Sequence, residues 1–302
     1  MPPHAPKAES SLHLLFEDAD CQVWTNAWLD HSPAGRVCVA LSPRHPRHPP
    51  VFGQKLFDKR QLPAVFIQPR RSNWYQFAAM PEVCALIRRR IGARPVFTYG
   101  SSMGGFGAVL AAGWLNADIA LAVSPQVSIA RDRVGDFETR WQQEAQALTF
   151  LWPDARAMIQ PEVRHVLAFD PTHGADRRHA RLLMAQRPQA FHALPVWGGG
   201  HPVGPALGVA GALSALVEDI ARGQIGLEEA LRAARQRYRQ SPVRPFVVAM
   251  ALNAISRKRR RHQGWAKAQR VRTGIQHEHR PTPPTLKACL ALGHAPALPA
   301  KD

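Results

Sequence analysis

Three residue types that together can activate a hydroxyl occur in this chain in the order serine, aspartate, histidine. Ser102 stands in Gly100-Ser101-Ser102-Met103-Gly104, directly behind Val96-Phe97-Thr98-Tyr99 and just ahead of Ala108-Val109-Leu110-Ala111-Ala112. A strand that turns into a helix through Gly-x-Ser-x-Gly forces the serine into strained backbone geometry and projects its side chain from the sheet. The glycines let strand and helix close up. The serine then sits at a helix N-terminus, where N–H groups and the helix dipole favour a developing oxyanion. Read more plainly, it only caps the helix. His201 lies in Gly198-Gly199-Gly200-His201-Pro202-Val203-Gly204, a loop with few side chains to bury an imidazole. A free serine is a poor nucleophile. A histidine within reach takes its proton on attack and returns it to the leaving group, while an aspartate fixes the imidazole tautomer and stabilises its charged form. Asp170 and Asp176, both behind Val163-Arg164-His165-Val166-Leu167-Ala168-Phe169, compete for that place. Asp170, at the strand end, suits bonding to local N–H groups. Asp176, further into the loop, has the reach to a histidine on the next loop and is preferred. Met103, after the serine, offers one oxyanion N–H. His173 and His179 are weaker candidates for the base, because neither follows a separate strand in the right order.

The elements that must position these groups are short apolar runs bounded by Gly, Pro and Ser: residues 36–41, 64–68, 96–99, 119–123, 163–169 and 193–197, with helical patterns between them. Continuous apolar runs alternating with helices predict a mostly parallel central sheet flanked by helices, with residues 21–26 as an edge strand. The first buried run ends in Ser42-Pro43-Arg44, from which a second oxyanion N–H would come. Pro43 has none, leaving Ser42 or Arg44. His45 and His48 nearby lack a carboxylate or cysteine and read as a solvated loop, not a metal site. Ligands bind at the C-terminal edge of open α/β sheets. Trp74 and Tyr75, at that edge, are expected to wall a pocket, with Arg70 or Arg71 contacting an anionic group; Trp74 packing under the next helix is the alternative. Gln126, in Ser124-Pro125-Gln126, falls at the same edge and joins the pocket. Residues 128–161, polar and helical with Trp141 and Trp152, read as a cap over the site.

The 302 residues divide into a flexible N-terminus (1–19), a large α/β domain (20–222), a basic helical appendage (223–280) and a flexible tail (281–302). Helices are expected over 227–238, 242–255 and 262–272. The formal charge of +17 is concentrated in the last quarter, notably in Arg257-Lys258-Arg259-Arg260-Arg261. Such a run is usually a solvated surface. Its functional alternative is docking on an anionic polymer or a membrane surface, with no specific nucleic-acid motif beside it. No run has the length to span a bilayer, and the N-terminus lacks the order of a signal peptide, which predicts a cytoplasmic protein. The scattered cysteines include Cys38 and Cys84 in apolar surroundings, which read as buried thiols.

Over about residues 21–222 the chain resembles the α/β-hydrolase superfamily, and Gly100-Ser101-Ser102-Met103-Gly104-Gly105 looks like the elbow of bacterial serine esterases and acyl-hydrolases. Asn73-Trp74-Tyr75-Gln76, Ser124-Pro125-Gln126 and Asp176-Arg177-Arg178-His179-Ala180 are similar to a bacterial branch that includes proteins linked to cell-surface glycan production. Where that superfamily usually carries a His-Gly pair, Ser42-Pro43-Arg44 stands instead. The resemblance implies cleavage or transfer of an acyl group from a small-molecule or glycan-linked ester, thioester or amide, without a cofactor. The reading from another class is a non-catalytic protein of the same fold that binds an anionic partner through its basic segment.

Overall fold

The computed structural model describes residues 12–32, 35–45, 51–242, 244, 248 and 249. Among these, eight strands form one sheet: β1 (Leu12–Glu17), β2 (Cys21–Asn26), β3 (Val37–Leu41), β4 (Ala64–Pro69), β5 (Val96–Ser101), β6 (Ile119–Val123), β7 (Arg164–Phe169) and β8 (Phe191–Pro195). Their order across the sheet is β1-β2-β4-β3-β5-β6-β7-β8. β1 and β2 run antiparallel to their neighbours, and β3 to β8 are parallel. The helices are α1 (Trp28–His31), α2 (Gln54–Lys59), α3 (Met80–Ile91), α4 (Met103–Leu115), α5 (Arg131–Val134), α6 (Gln142–Gln146), α7 (Gly174–Gln186), α8 (Gly204–Val209), α9 (Ala212–Arg222) and α10 (Leu227–Gln240).

The absence of polar alternation in the central strands is explained by cover on both faces: every residue of β3, β4, β5 and β6 is buried. One face packs against α3 and α4, with Val83, Ile87, Phe106 and Leu110 in its core. The other packs against α2 and the C-terminal helices, with Phe57, Leu216 and Leu231 in a second core. α4 starts behind the serine and is buried nearly all round, which its Gly, Ala, Val and Leu composition allows. Its closeness to the sheet depends on glycine. A Cβ at Gly104 would stand 2.2 Å from the carbonyl oxygen of Leu41, and one at Gly100 2.0 Å from that of Gly104.

Two boundaries differ from expectation. β1 lies inside the N-terminal stretch read as flexible, and its cover makes β2 an inner strand instead of the edge. Leu14 and Phe16 alternate weakly and β1 is only half buried, so its sequence carries little signal. α10, expected to open a separate appendage, buries Leu227, Leu231 and Tyr238 in the same core as α9, because its apolar residues recur every three or four positions on one face. Contacts divide the chain into units of residues 1–253 and 254–302. The basic run, the helix expected over 262–272, the tail and Cys289 lie outside the described residues, as does most of the helix expected over 242–255. Among the described residues, no helix is long and apolar enough to cross a membrane.

Candidate active site

The parallel strands bring their C-terminal ends into line: Ser101 pairs with Val123, Val123 with Ala168, and Phe169 with Pro195. The loops that follow therefore open side by side, carrying Ser102, Gln126, Asp170 with Asp176, and His201. Backbone strain gathers at this edge. Of the seven described non-glycine residues with positive φ, four lie here: Trp74, Tyr75, Ser102 and Ser124, with φ of 48°, 58°, 54° and 47°. Bulky residues rarely adopt such angles, and their clustering points to a functional site.

Ser102 is held by its own N–H, which donates to Val123 (2.8 Å). Met103 is the first residue of α4, so no carbonyl one turn behind accepts its N–H. The Ser102 hydroxyl lies 2.9 Å from His201 Nε2, and His201 Nδ1 lies 2.7 Å from Asp176 Oδ2. The structure thus joins the serine and the histidine to Asp176. Asp176 is 1% exposed. Burial works to raise its pKa, but the nearby His173 ring and the hydrogen bond from His201 outweigh that and hold it well below the usual carboxylate range.

Asp170 does not reach the imidazole. It accepts N–H bonds from Thr172 (2.8 Å), Gly198 (3.1 Å) and Gly200 (2.9 Å), so it fastens both its own turn and the histidine loop. Ser124 Oγ adds a bond from the Val203 N–H (3.1 Å). The glycine loop that presents His201 is therefore pinned on two sides. His173 caps α7, its Nδ1 lying 3.3 Å from the Asp176 amide nitrogen and 3.1 Å from Oδ1.

Several expected pocket residues take other places. The Ser42 N–H, expected at the oxyanion, donates to Ile67 (3.2 Å), because the loop continues the ladder from β3 to β4. Arg44 lies at the mouth, 5.0 Å from the Trp141 ring centre, and its guanidinium pairs with Glu144 at 3.1 Å. Arg70 is drawn to the β1–β2 turn by Glu17 and the Asp18 carbonyl. Arg71 pairs with Asp20 at 3.5 Å and borders a cleft of about 650 Å³ of mixed polar and apolar lining between the loop after β4 and the cap. Trp74 and Tyr75 are fully buried. Tyr75 turns into the core, its ring against Gly107 and its hydroxyl donating to the Ser42 carbonyl (2.9 Å). Trp74 instead backs Gln126, donating its indole N–H to Oε1 (3.1 Å). The free amide edge of Gln126 then faces Ser102, with Nε2 3.4 Å from the hydroxyl and 3.3 Å from the Ser124 carbonyl.

The segment read as a cap contributes α5, α6 and Trp141, whose ring lies 5.5 Å from Trp74 and 5.9 Å from His201. Gln76 clasps the cap at Trp152 through two bonds of 2.7 and 2.9 Å. Trp141 closes over the histidine, which leaves Ser102 6% exposed. Sequence reasoning did not find Glu138 and Arg140, which stand behind Asp176. Only their position inside the cap could have suggested them, since their partners on α7, Asp176 for Arg140 and His179 for Glu138, are 36 and 41 residues away. Among the described residues, no group of three His, Cys, Asp or Glu side chains is placed to hold a metal ion.

No sequence family and no curated protein matches the chain. Solved structures do. The esterase Pf2001 of Pyrococcus furiosus superposes with a TM-score of 0.51 at 10% identity, over 72% of this chain and 93% of that one. A 2,6-dihydroxy-pseudo-oxynicotine hydrolase follows at 0.48, with 12% identity over 76% and 67% of the two chains. Esterase 2 of Thermogutta terrifontis, solved phosphonylated by sarin, also gives 0.48, with 16% identity over 66% and 87%. At such identities the likeness concerns the course of the backbone alone. With the mostly parallel sheet and the strand order above, it establishes that this chain has the α/β-hydrolase fold.

Proposed function

We propose that the protein is a serine hydrolase that cleaves an acyl ester or thioester through an acyl-enzyme. The observation that carries this reading is the chain of contacts from Asp176 Oδ2 to His201 (2.7 Å) and from His201 to Ser102 Oγ (2.9 Å) at a strained elbow. His201 Nδ1–H donates to the ionised Asp176, which leaves Nε2 unprotonated and facing the hydroxyl. As Oγ bonds the substrate carbonyl carbon, its proton passes to Nε2 and the carbonyl oxygen becomes an oxyanion. Met103 N–H and Gln126 Nε2–H are the donors for that charge; Gln126 takes the part first sought in the loop after β3. The imidazolium then protonates the departing alkoxide or thiolate as its bond to carbon breaks, leaving the acyl group on Ser102. Water entering on the same side gives a proton to His201, its hydroxide attacks the acyl carbon, and the acid departs as Oγ regains the proton.

Three features support this assignment over a retired site: the histidine loop is pinned, the nucleophile is strained, and a donor is aimed at its oxygen. Fluorophosphonate labelling followed by intact mass tests it. Stoichiometric labelling of wild type, lost in Ser102→Ala and His201→Ala, is expected. A folded wild type that takes up no label under conditions that label a control esterase would overturn the reading.

A further inference from the structure

Behind Asp176, away from His201, lies a closed set of charged side chains for which the reaction above has no use. Arg140, on the cap, grips Glu138 with its Nε and Nη2 (2.9 and 2.5 Å) and places Nη2 3.1 Å from Asp176 Oδ1. Glu138 is itself anchored by His179 Nε2 at 2.9 Å. His179 Nδ1 accepts the Val127 N–H at 3.2 Å, so the ring proton sits on Nε2 and is donated to Glu138. His179 stands one helical turn beyond Asp176 on α7. The circuit therefore runs from α7 to the cap and back to α7. The Glu138, Asp176 and His179 side chains are 0 or 1% exposed. Burial opposes ionisation of Glu138, yet the bonds from His179 and Arg140 bring it down to about 2, so it is charged throughout the working range.

A carboxylate has two oxygens and can rotate. Oδ2 of Asp176 serves the imidazole; Oδ1 has His173 Nδ1 and Arg140 Nη2 each at 3.1 Å, but His173 Nδ1 is turned to accept the Asp176 N–H, so the cation paired with Oδ1 is Arg140. We propose that Arg140, clamped by Glu138, is a positioning residue for the Asp176–His201 pair: it pairs with Oδ1, leaves Oδ2 to the imidazole, and sets its positive charge behind the carboxylate that holds the ring. This deepens the hydrolase reading and rests on it for its meaning, though the contacts stand without it. The charged and titratable groups facing His201 are Asp176 and His173 from α7, Asp170 through the loop N–H groups, Arg140 with Glu138 and His179 behind Asp176, and Arg44 across Trp141. Of these, Arg140 and Glu138 carry opposite charges on the Asp176 side, so removing one or the other must act on the imidazole in opposite senses.

The experiment is the pH titration of the His201 ring by NMR in the full chain, beside the pH dependence of fluorophosphonate labelling. In Arg140→Met the imidazolium gains stability, so the His201 midpoint rises by about one pH unit and labelling at pH values below both midpoints slows about tenfold. In Glu138→Gln the uncompensated Arg140 lowers the midpoint. Arg140→Lys keeps the charge but loses the fork, so the midpoint stays near wild type while labelling slows. A purely structural role would move neither midpoint. Unchanged midpoints in Arg140→Met and Glu138→Gln, or shifts of the same sign, overturn the proposal. Should Arg140→Met fail to fold, Glu138→Gln and Arg140→Lys carry the test. Because the ring titration needs no turnover, it separates this proposal from failure of the hydrolase reading, which the labelling of wild type reports.

Discussion

Replacing Gln126 separates the proposed oxyanion donor from the scaffold that holds it. Its Nε2 stands 3.4 Å from the resting Ser102 hydroxyl, and its Oε1 is fixed by the Trp74 indole at 3.1 Å. When Oγ bonds carbon, the oxyanion lies a bond angle away from Oγ, within reach of the same amide. Loss of one such donor costs about 10²- to 10³-fold in kcat, or roughly 3–4 kcal/mol. Gln126→Leu also leaves the buried Trp74 N–H without an acceptor, which costs about 1–3 kcal/mol of stability. Gln126→Glu keeps that acceptor but offers the oxyanion an oxygen in place of an N–H. Both variants are therefore expected to lose kcat on p-nitrophenyl acetate by the same order or more, with KM little changed, while the Trp74 acceptor is lost only in the leucine variant. Steady-state kinetics and denaturant unfolding read the two effects. A Gln126→Leu protein whose kcat lies within about threefold of wild type would refute the donor role.

Other substitutions probe the surroundings. Asp176→Asn leaves the carboxylate's shape but favours the wrong imidazole tautomer, so kcat is expected to fall by about 10⁴-fold with the fold intact, measured by labelling rate and circular dichroism. Asp170→Ala frees the Gly198 and Gly200 N–H groups, and faster hydrogen exchange in the histidine loop should accompany its loss of activity. Gly104→Ala drives a methyl against the Leu41 carbonyl and should prevent soluble expression or lower the melting temperature steeply. His165, buried in β7 with neither ring nitrogen bonded, is pushed down by burial from 6.5 to about 4. The unfolded chain then binds a proton that the folded one does not, so this group's contribution is intact above pH 6.5 and drains away as pH falls towards 4. Over that span it amounts to about 3 kcal/mol. His165→Leu should flatten the stability curve there, as read by urea unfolding from pH 7 to 4.

The features legible before folding were local in origin. Ser102 was legible because strand, turn and helix signals abut within twelve residues, and the strained turn needs the glycines beside it. The central strands were legible because cover on both faces requires unbroken apolar runs. His201 was legible because a glycine loop leaves an imidazole little to pack against. Tertiary structure decided what depends on direction and distance. Asp170 and Asp176 differ little as residues in a sequence; the N–H groups of Gly198 and Gly200 occupy one, and the imidazole is left to the other. Ser42 lost its expected role to a ladder bond with Ile67, which depends on sheet register. Gln126 is turned towards Ser102 only by its bond to Trp74, 52 positions away. Arg140 and Glu138 meet Asp176 and His179 across the cap, where burial makes each charge depend on partners that no local pattern announces. Backbone propensity is written over a few neighbouring residues, but pairing of buried polar groups is settled by which distant groups the packed core brings into reach.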